Sequence, residues 1–193
     1  MANRYSIMGL WLAQLTLGLV LAGAAMADND SPRNPKWARA VALPESENFY
    51  LVTPDLYRAA QPTAAAFKEY ERFGLKTVIN LRARHSDRKL LAGTSLKLVE
   101  VPINTWDIDD EDVVAVLRLI RDEPKPVLVH CQHGADRTGT IIAMHRMVNE
   151  GWSRDEALDE LIGGGYGFHS IWKNIPKYVK EVNVDKIKSQ VDR

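Results

Sequence analysis

Short apolar runs alternate with longer amphipathic stretches along residues 48–193. Apolar runs of about 4–8 residues bounded by turn residues are typical of strands, whereas apolar positions that recur every three or four residues are typical of helices. The pattern predicts strands at Asn48–Val52, Leu56–Ala59, Lys76–Leu81, Leu96–Val101 and Pro126–Val129. It predicts helices from Pro62 to about Phe73, from Val113 to about Arg121, from Thr140 to Val148, from Ser153 to about Ile162, and from about Ile175 towards the C-terminus.

Residues with strong conformational preferences mark several boundaries of these elements. Gly74 is the expected C-cap of the first helix, because glycine readily adopts the left-handed conformation found there. Ser153 and Glu156 have the spacing of a capping box. The segment Gly163–Gly167 follows no strand, so we interpret it as a loop between helices rather than as a phosphate-binding loop.

The first 27 residues have the pattern of a secretory signal peptide. Arg4 provides a basic start, residues 7–24 are nearly all apolar, and Ala25–Ala27 is a small-x-small cleavage site. An uncleaved membrane anchor is the alternative, and we favour cleavage because the apolar run is short for a membrane span. We therefore expect export without stable membrane association, with residues 28–47 as an N-terminal arm and residues 48–193 as one folded domain.

The charges balance, because 25 basic and 25 acidic side chains give a formal net charge of zero. A strongly basic surface that would bind nucleic acid or an anionic membrane is therefore not expected, and any phosphate site must be local. The five histidines show no His-x3-His spacing and no cluster with cysteine. No metal site is predicted from that spacing.

The only cysteine, Cys131, lies in the segment His130–Gly139, between the last predicted strand and the helix predicted from Thr140. A loop that enters a helix directs several backbone N–H groups to one point, where the helix dipole favours an anion. A cysteine there is stabilised as the nucleophilic thiolate, and Arg137 can bind two phosphate oxygens. The segment predicts a phosphate-binding loop with Cys131 as nucleophile. This loop consists of Gln132, His133, Gly134, Ala135, Asp136 and Arg137.

Two residues that flank this loop have supporting roles. His130 is expected to be buried and to form a hydrogen bond that shapes the loop, and Thr138 is expected to donate a hydrogen bond to the thiolate. His133 is expected to contact substrate or to help hold the thiolate. A buried structural cysteine is the alternative, but a lone thiol in an exported protein is a liability unless it is used.

The spacing from Cys131 to Arg137, followed by Thr138, resembles the Cys-x5-Arg-Ser/Thr signature of the cysteine-dependent protein tyrosine phosphatase superfamily. Nearly the whole chain after residue 27 also resembles the exported bacterial dual-specificity phosphatases of the TpbA type, and related compact phosphatases of plants and fungi. The resembling segments are Trp37–Val41, Leu56–Pro62, Leu75–Ile79, Pro126–Gly139 and Gly151–Ser153.

The resemblance implies the compact dual-specificity phosphatase fold, in which helices flank a mostly parallel central sheet of about five strands; the alternating pattern agrees with this α/β class. It makes residues 48–193 a phosphatase domain that hydrolyses phosphotyrosine, and also phosphoserine or phosphothreonine, in the periplasm through a phosphocysteine. The implied partner is a phosphorylated protein, such as the periplasmic part of a membrane signalling protein. The implied biological role is regulation of biofilm signalling, and no cofactor is implied.

The superfamily often carries its general acid in a Trp-Pro-Asp loop. Here Asp107 directly follows Trp106 without the proline, so Asp107 is the first candidate and Asp109 the alternative. Asp110–Asp112 are expected to begin the next helix, where carboxylates are favourable. A second departure is Asp136, which places a carboxylate beside Arg137 and must point away from the phosphate or pair with a basic side chain.

The basic segment Arg82–Lys89 follows a predicted strand, at the sheet edge where α/β proteins bind ligands. We expect either that Arg82 or Arg84 contacts the substrate phosphate or that the segment is a solvated charge run. His169 is interpreted as a surface or packing residue.

Three alternative functions compete with a protein phosphatase. An inositol polyphosphate or another small phosphoester is an alternative substrate for the same chemistry. A non-catalytic phosphoprotein-binding module would use the loop as a receptor, but such a module needs no nucleophile. A thiol oxidoreductase or sulfurtransferase is disfavoured, because Cys-x-x-Cys is absent and Arg137 favours an oxyanion substrate.

Overall fold

The computed structural model describes residues 33–193, and its strands form a single sheet. The strands are β1 (Arg39–Ala40), β2 (Tyr50–Thr53), β3 (Leu56–Ala59), β4 (Thr77–Arg82), β5 (Lys97–Ile103) and β6 (Val127–His130). Their order is β1-β2-β3-β6-β4-β5, with parallel pairing from β3 to β5 and antiparallel pairing at the β1–β2–β3 edge. The predicted mostly parallel sheet is confirmed, and the short edge strand β1 is an addition to the five predicted strands.

Six helices flank this sheet in the described part of the chain. They are α1 (Ala64–Phe73), α2 (Asp110–Asp122), α3 (Asp136–Asn149), α4 (Arg154–Gly163), α5 (Asn174–Glu181) and α6 (Val184–Val191). Successive strand residues face opposite sides of a sheet. Accordingly Leu128 packs in the cluster that contains α1, whereas Val127 and Val129 pack in the larger cluster with the other helices.

Several predicted helix boundaries are confirmed. Thr63 caps α1, and Gly74 ends that helix in the left-handed conformation at φ 106°. Ser153 and Glu156 form the complete capping box of α4. The single C-terminal helix predicted from Ile175 is wrong, because Asn183 is extended and its side chain caps a new helix by accepting from the Lys186 N–H.

The predicted arm contributes to the sheet, because its residues 39–40 form β1. Arg33 anchors the start of this segment, where its guanidinium lies about 5 Å from the ring centroids of Trp37, Tyr50 and Tyr166 (5.5, 5.5 and 5.2 Å) and its Nη2 donates to the Ala38 carbonyl at 2.7 Å. The predicted signal peptide, residues 1–27, lies outside the described residues. Within residues 33–193, no helix is long and apolar enough to cross a membrane.

A buried ion pair fastens α3 to α4. Arg146 donates from Nε to Glu160 at 2.8 Å, and both side chains are almost inaccessible to solvent. Burial raises the pKa of Glu160, but hydrogen bonds and charge from Arg146 outweigh burial and leave it below its usual value. Glu160 also accepts the Ala38 N–H at 2.7 Å. The pair therefore joins both helices to the start of the sheet.

Candidate active site

The chain after β6 turns directly into α3. Cys131 follows the last residue of β6, and α3 begins at Asp136, earlier than the predicted start at Thr140. Arg137 therefore lies in the first helical turn. The N-cap residue Ala135 forms no side-chain hydrogen bond to the helix. Because the first N–H groups of a helix lack acceptors within it, this end of α3 is suited to an anion.

Gly134 holds the loop against the end of β3. Its φ of 68° is left-handed, and a Cβ atom there would lie 2.5 Å from the Ala59 carbonyl carbon and oxygen and 2.7 Å from the Ala60 nitrogen. A side chain would collide with this backbone, so the position requires glycine. The Gly134 carbonyl also accepts a hydrogen bond of 2.6 Å from Arg58.

Arg58 places a positive charge beneath the loop. Its side chain is fully buried, and its guanidinium lies 3.6 Å from the ring centroid of Tyr166. Burial lowers the pKa of Arg58 to about 10, while the neighbouring Tyr166, Glu160 and Cys131 oppose that shift. The guanidinium is therefore charged at neutral pH. A buried cation beside the loop favours an anionic ligand and an anionic sulfur.

Arg137 is held where β4 and β5 end. Its Nη1 donates to the carbonyl oxygens of Ile103 at 3.2 Å and Leu81 at 3.4 Å. Because parallel strands end at a common edge, these carbonyls position Arg137 beside the phosphate loop. The side chain lines the cavity above the loop, where its fork can bind phosphate oxygens.

His130 is buried, as predicted, and Asp87 determines its position. The Asp87 Oδ2 lies 2.8 Å from His130 Nε2, and both side chains are inaccessible to solvent. Burial raises the pKa of Asp87, but His130, Gln61 and His85 outweigh it and lower the pKa below its usual value. His130 Nδ1 lies 3.2 Å from the Cys131 carbonyl oxygen. The pair therefore fixes the backbone at Cys131, the predicted nucleophile.

The predicted hydrogen bond from Thr138 to the Cys131 sulfur is not formed. The Thr138 hydroxyl is buried and has no hydrogen-bond partner within residues 33–193. The earlier start of α3 explains the difference, because Thr138 belongs to the first helical turn and the helix sets its side-chain direction. Cys131 is 2% exposed, at the base of the loop.

A cavity of about 450 Å³ opens above the loop. Both predicted substrate contacts, Arg82 and Arg84, line it, so the basic segment adjoins the phosphate site rather than lying apart from it. Arg82 is held by a 2.9 Å hydrogen bond to the Gln61 side chain. The lining residues are Arg82, Ala83, Arg84, Ile103, Asn104, Thr105, Trp106, Gln132, His133, Asp136, Arg137, His169, Ile171 and Trp172.

The two candidate acids have different surroundings. Asp109 is the N-cap of α2, and its side chain accepts the Asp112 N–H at 2.9 Å. Asp107 is exposed on the loop before α2, where its N–H donates to the Asn104 carbonyl at 3.1 Å. Asp107 itself is not among the residues that line the cavity, although the adjacent Trp106 is. The assignment of Asp107 as general acid stays a prediction, and capping gives Asp109 a structural role.

Asp136 pairs with a basic side chain, which is one of the two arrangements predicted for it. Its Oδ1 accepts the His169 N–H at 3.0 Å, and its Oδ2 lies 2.8 Å from His169 Nδ1. His169 is thus a cavity residue, whereas its sequence context suggested only surface or packing. Chain spacing predicted no metal site, yet the fold brings ligand atoms of His133, Asp136 and His169 within 4.8 Å of one another.

Four supporting residues were missed by the sequence analysis. Asn48 has a left-handed φ of 52° and donates to the His133 carbonyl at 2.7 Å. The Gln61 backbone N–H donates to the Gln132 carbonyl oxygen at 3.0 Å. Asn48, Arg58 and Gln61 are polar residues within or beside predicted strands, which was the available signal, whereas Asp87 gave none. The four residues are Asn48, Arg58, Gln61 and Asp87.

Replacement of Gly134 tests the contact between the loop and β3. Gly134→Ala is expected to cost about 2–5 kcal/mol of unfolding free energy, because overpacking adds to left-handed strain. Gly151→Ala is the matched control, since Gly151 also has a positive φ, 72°, but has no atom within 4 Å of its would-be Cβ. The control should lose about 1–2 kcal/mol. Denaturant unfolding and phosphate titration measure both effects, and equal losses in both variants would contradict the contact.

Comparisons with known proteins agree with this geometry. The family described as "DSP-PTPase phosphatase fused to NAD+ Kinase" matches residues 35–171. The dual specificity protein phosphatase TpbA (tyrosine phosphatase related to biofilm formation A) of Pseudomonas aeruginosa strain UCBPP-PA14 is 36% identical over 185 residues, which cover 92% of this chain and 84% of the relative.

Two crystal structures of P. aeruginosa TpbA, one of them a complex with pTyr, superpose with a TM-score of 0.76 at 34% identity; they cover 84% of this chain and 100% and 99% of theirs. An inositol diphosphatase of Arabidopsis thaliana, DSP5, is 28% identical over 128 residues, which cover 58% of this chain and 59% of the relative. The chain belongs to the DSP-PTPase family, as a protein-tyrosine or dual-specificity phosphatase.

Proposed function

We propose that this chain is a periplasmic protein phosphatase that hydrolyses phosphotyrosine, and also phosphoserine or phosphothreonine, through a phosphocysteine at Cys131. One observation carries the proposal. Cys131 and Arg137 share a loop at the N-terminus of α3, and Arg137 is held at the ends of the two strands beside it. The proposed nucleophile and a bidentate cation therefore belong to one loop at a helix start that is suited to an anion, and Arg137 lines the cavity that opens above this loop.

The first chemical step is an in-line attack of the Cys131 thiolate on phosphorus. A sulfur–phosphorus bond forms, and the bond from phosphorus to the tyrosine oxygen breaks. Arg137 and the N–H groups of the loop stabilise the equatorial oxygens, where the transition state carries its charge. Asp107 protonates the departing oxygen. This acid catalysis is required because a phenolate or alkoxide is a poor leaving group.

The second step releases phosphate. Water attacks the phosphocysteine, the sulfur–phosphorus bond breaks, and Asp107 accepts a proton from that water. Cys131 leaves as a thiolate, which the buried charge of Arg58 and the end of α3 stabilise. The pair of Asp87 and His130 holds the loop backbone in place during both steps.

The rim of the cavity supports a protein substrate. Trp106 and Ile171 are 62% and 78% exposed, and both line the cavity. Exposed apolar residues around a concave site are typical of ligand contact surfaces. Cys131 lies below them and is almost inaccessible, which suits a long phosphorylated side chain such as phosphotyrosine. The TpbA complex with pTyr supports the same substrate for this chain.

The cellular setting follows from the first 27 residues. The predicted signal peptide supports export to the periplasm, where a phosphorylated periplasmic part of a membrane signalling protein would be the partner. The name of the relative TpbA, which refers to biofilm formation, supports a role in biofilm signalling.

An inositol polyphosphate is the second candidate substrate. Arg82, Arg84 and Arg137 all line one cavity, and clustered cationic groups suit a ligand with several phosphates. The similarity to the plant inositol diphosphatase supports this alternative. The chemistry at Cys131 would be the same for both substrates.

A substrate panel distinguishes these candidates. Phosphate release by the protein after residue 27 is measured with a phosphotyrosine peptide, a phosphothreonine peptide and an inositol polyphosphate, and Cys131→Ser is the control for each. We expect the highest kcat/KM with the phosphotyrosine peptide and no turnover by Cys131→Ser, which should still bind phosphate. Faster phosphate release from the inositol polyphosphate would identify that compound, rather than a phosphorylated protein, as the preferred substrate. No release from any compound by reduced enzyme would support the binding-module alternative.

Two aspartate variants test the general acid. Asp107→Asn should lower kcat about 100-fold or more with a phosphotyrosine peptide, because general acid catalysis contributes about 10²–10⁴-fold. Asp109→Asn is the matched control, because asparagine is as good an N-cap as aspartate and kcat should stay near wild type. A larger loss of kcat in Asp109→Asn would reverse the assignment.

A further inference from the structure

Three potential metal ligands meet at the mouth of the cavity. His133 belongs to the phosphate loop, Asp136 is the first residue of α3, and His169 lies between α4 and α5. One ligand atom from each lies within 4.8 Å of the other two. Asp136 and His169 are 33 residues apart along the chain, so only the fold brings His169 to the other two residues.

Existing contacts hold these side chains close before any ion binds. Asp136 is 6% exposed, and its Oδ1 is fixed by the His169 N–H at 3.0 Å. Its Oδ2 lies 2.8 Å from His169 Nδ1. A cation bound by both atoms can take the place of this contact. The His133 and His169 ring centroids are 4.9 Å apart. The three side chains are therefore already partly ordered in the ion-free protein, so less conformational entropy is lost when an ion binds.

Asn48 links the two segments that carry the histidines. Its Nδ2 donates to the His133 carbonyl at 2.7 Å and to the Tyr166 carbonyl at 2.9 Å. The phosphate loop and the segment that leads to His169 are thus tied to one side chain. These two hydrogen bonds keep the segments that carry His133 and His169 close to each other.

We propose that His133, Asp136 and His169 form a binding site for a divalent transition-metal ion of the zinc type. Two imidazoles and one carboxylate are a donor set that Zn²⁺ accepts, whereas Mg²⁺ and Ca²⁺ prefer oxygen ligands. Three protein ligands leave a coordination position open to water or to another oxygen. His133 and His169 are exposed, so an ion can reach the site from solvent.

The bound ion inhibits the phosphatase, an effect that rests on the proposed function. All three ligands line the same cavity as Arg137. An ion held by them occupies part of this cavity beside Arg137, in space that a phosphorylated side chain would enter. Inhibition should therefore appear mainly as an increase in KM.

Zn²⁺ binding tests the site without reference to activity. The measurement uses chelator competition or calorimetry in the Cys131→Ser background, because a thiolate also binds zinc. His169→Gln and His133→Gln should each weaken binding about tenfold or more, since even changes behind the ligands cost about 10–100-fold. His145→Gln is the matched control, because His145 lies on α3 outside the cavity, and it should leave the affinity unchanged. Mg²⁺ should not compete.

The results separate the site from the phosphatase reaction. Equal Zn²⁺ affinity in the His169, His133 and His145 variants, each confirmed as folded by thermal unfolding, would overturn the site.

The reaction is assayed with the Cys131-containing enzyme and a phosphotyrosine peptide at buffered free Zn²⁺. We expect KM to rise with Zn²⁺, and this rise to shrink in His169→Gln. Zn²⁺ binding without any change in KM would overturn inhibition, whereas absent phosphatase activity would contradict only the proposed function and the inhibition that depends on it.

Discussion

The close contact between Gly134 and the backbone of Ala59 and Ala60 is the constraint on which the site depends. It leaves no room for a Cβ atom, so the phosphate loop can lie against β3 in only one way. Arg58 completes the contact from below, with its guanidinium bonded to the Gly134 carbonyl. The Tyr166 ring, 3.6 Å from the guanidinium carbon, covers its other side. Arg58 is thus a buried positive charge in direct contact with the loop.

The other side of the loop depends on the edge where the parallel strands end. β4 and β5 present the carbonyls that hold Arg137, and the segment after β4 supplies Asp87, which faces His130. Strand β6 lies between β3 and β4, so the residues that follow it are supported from both neighbours. The fold thus supports the loop between β6 and α3 with residues from both neighbouring strands.

Local features of the chain predicted most of the fold. The spacing of apolar positions identified the strands, and capping residues identified the helix ends at Gly74 and Ser153. Both signals depend only on neighbouring residues in the chain. The place of Cys131 at a strand-to-helix turn was also predictable, since the apolar runs on both sides of it are local features. The break at Asn183 was missed because its neighbours keep an amphipathic pattern that hides the cap.

Long-range polar contacts were the part that the chain alone did not reveal. Asp87 lies within a basic run for which substrate contact and a solvated charge run were both open, and neither reading predicted its burial against His130. His169 had no partner in its own segment, and only folding brings it to Asp136. Such pairs have no period and no fixed spacing. Arg82 and Arg84 line the cavity, which agrees with their position where a strand ends, and their contact with a substrate phosphate stays a prediction.

Detection of the covalent intermediate tests the central claim most directly. The enzyme is mixed with excess phosphotyrosine peptide, quenched in acid within the first turnover, and digested for mass spectrometry. The account predicts one added phosphoryl group on the peptide that contains Cys131, and more of it in Asp107→Asn if that variant hydrolyses the intermediate more slowly than it forms. Turnover of the wild-type enzyme with no phosphoryl group on Cys131 at any quench time would contradict a nucleophilic Cys131.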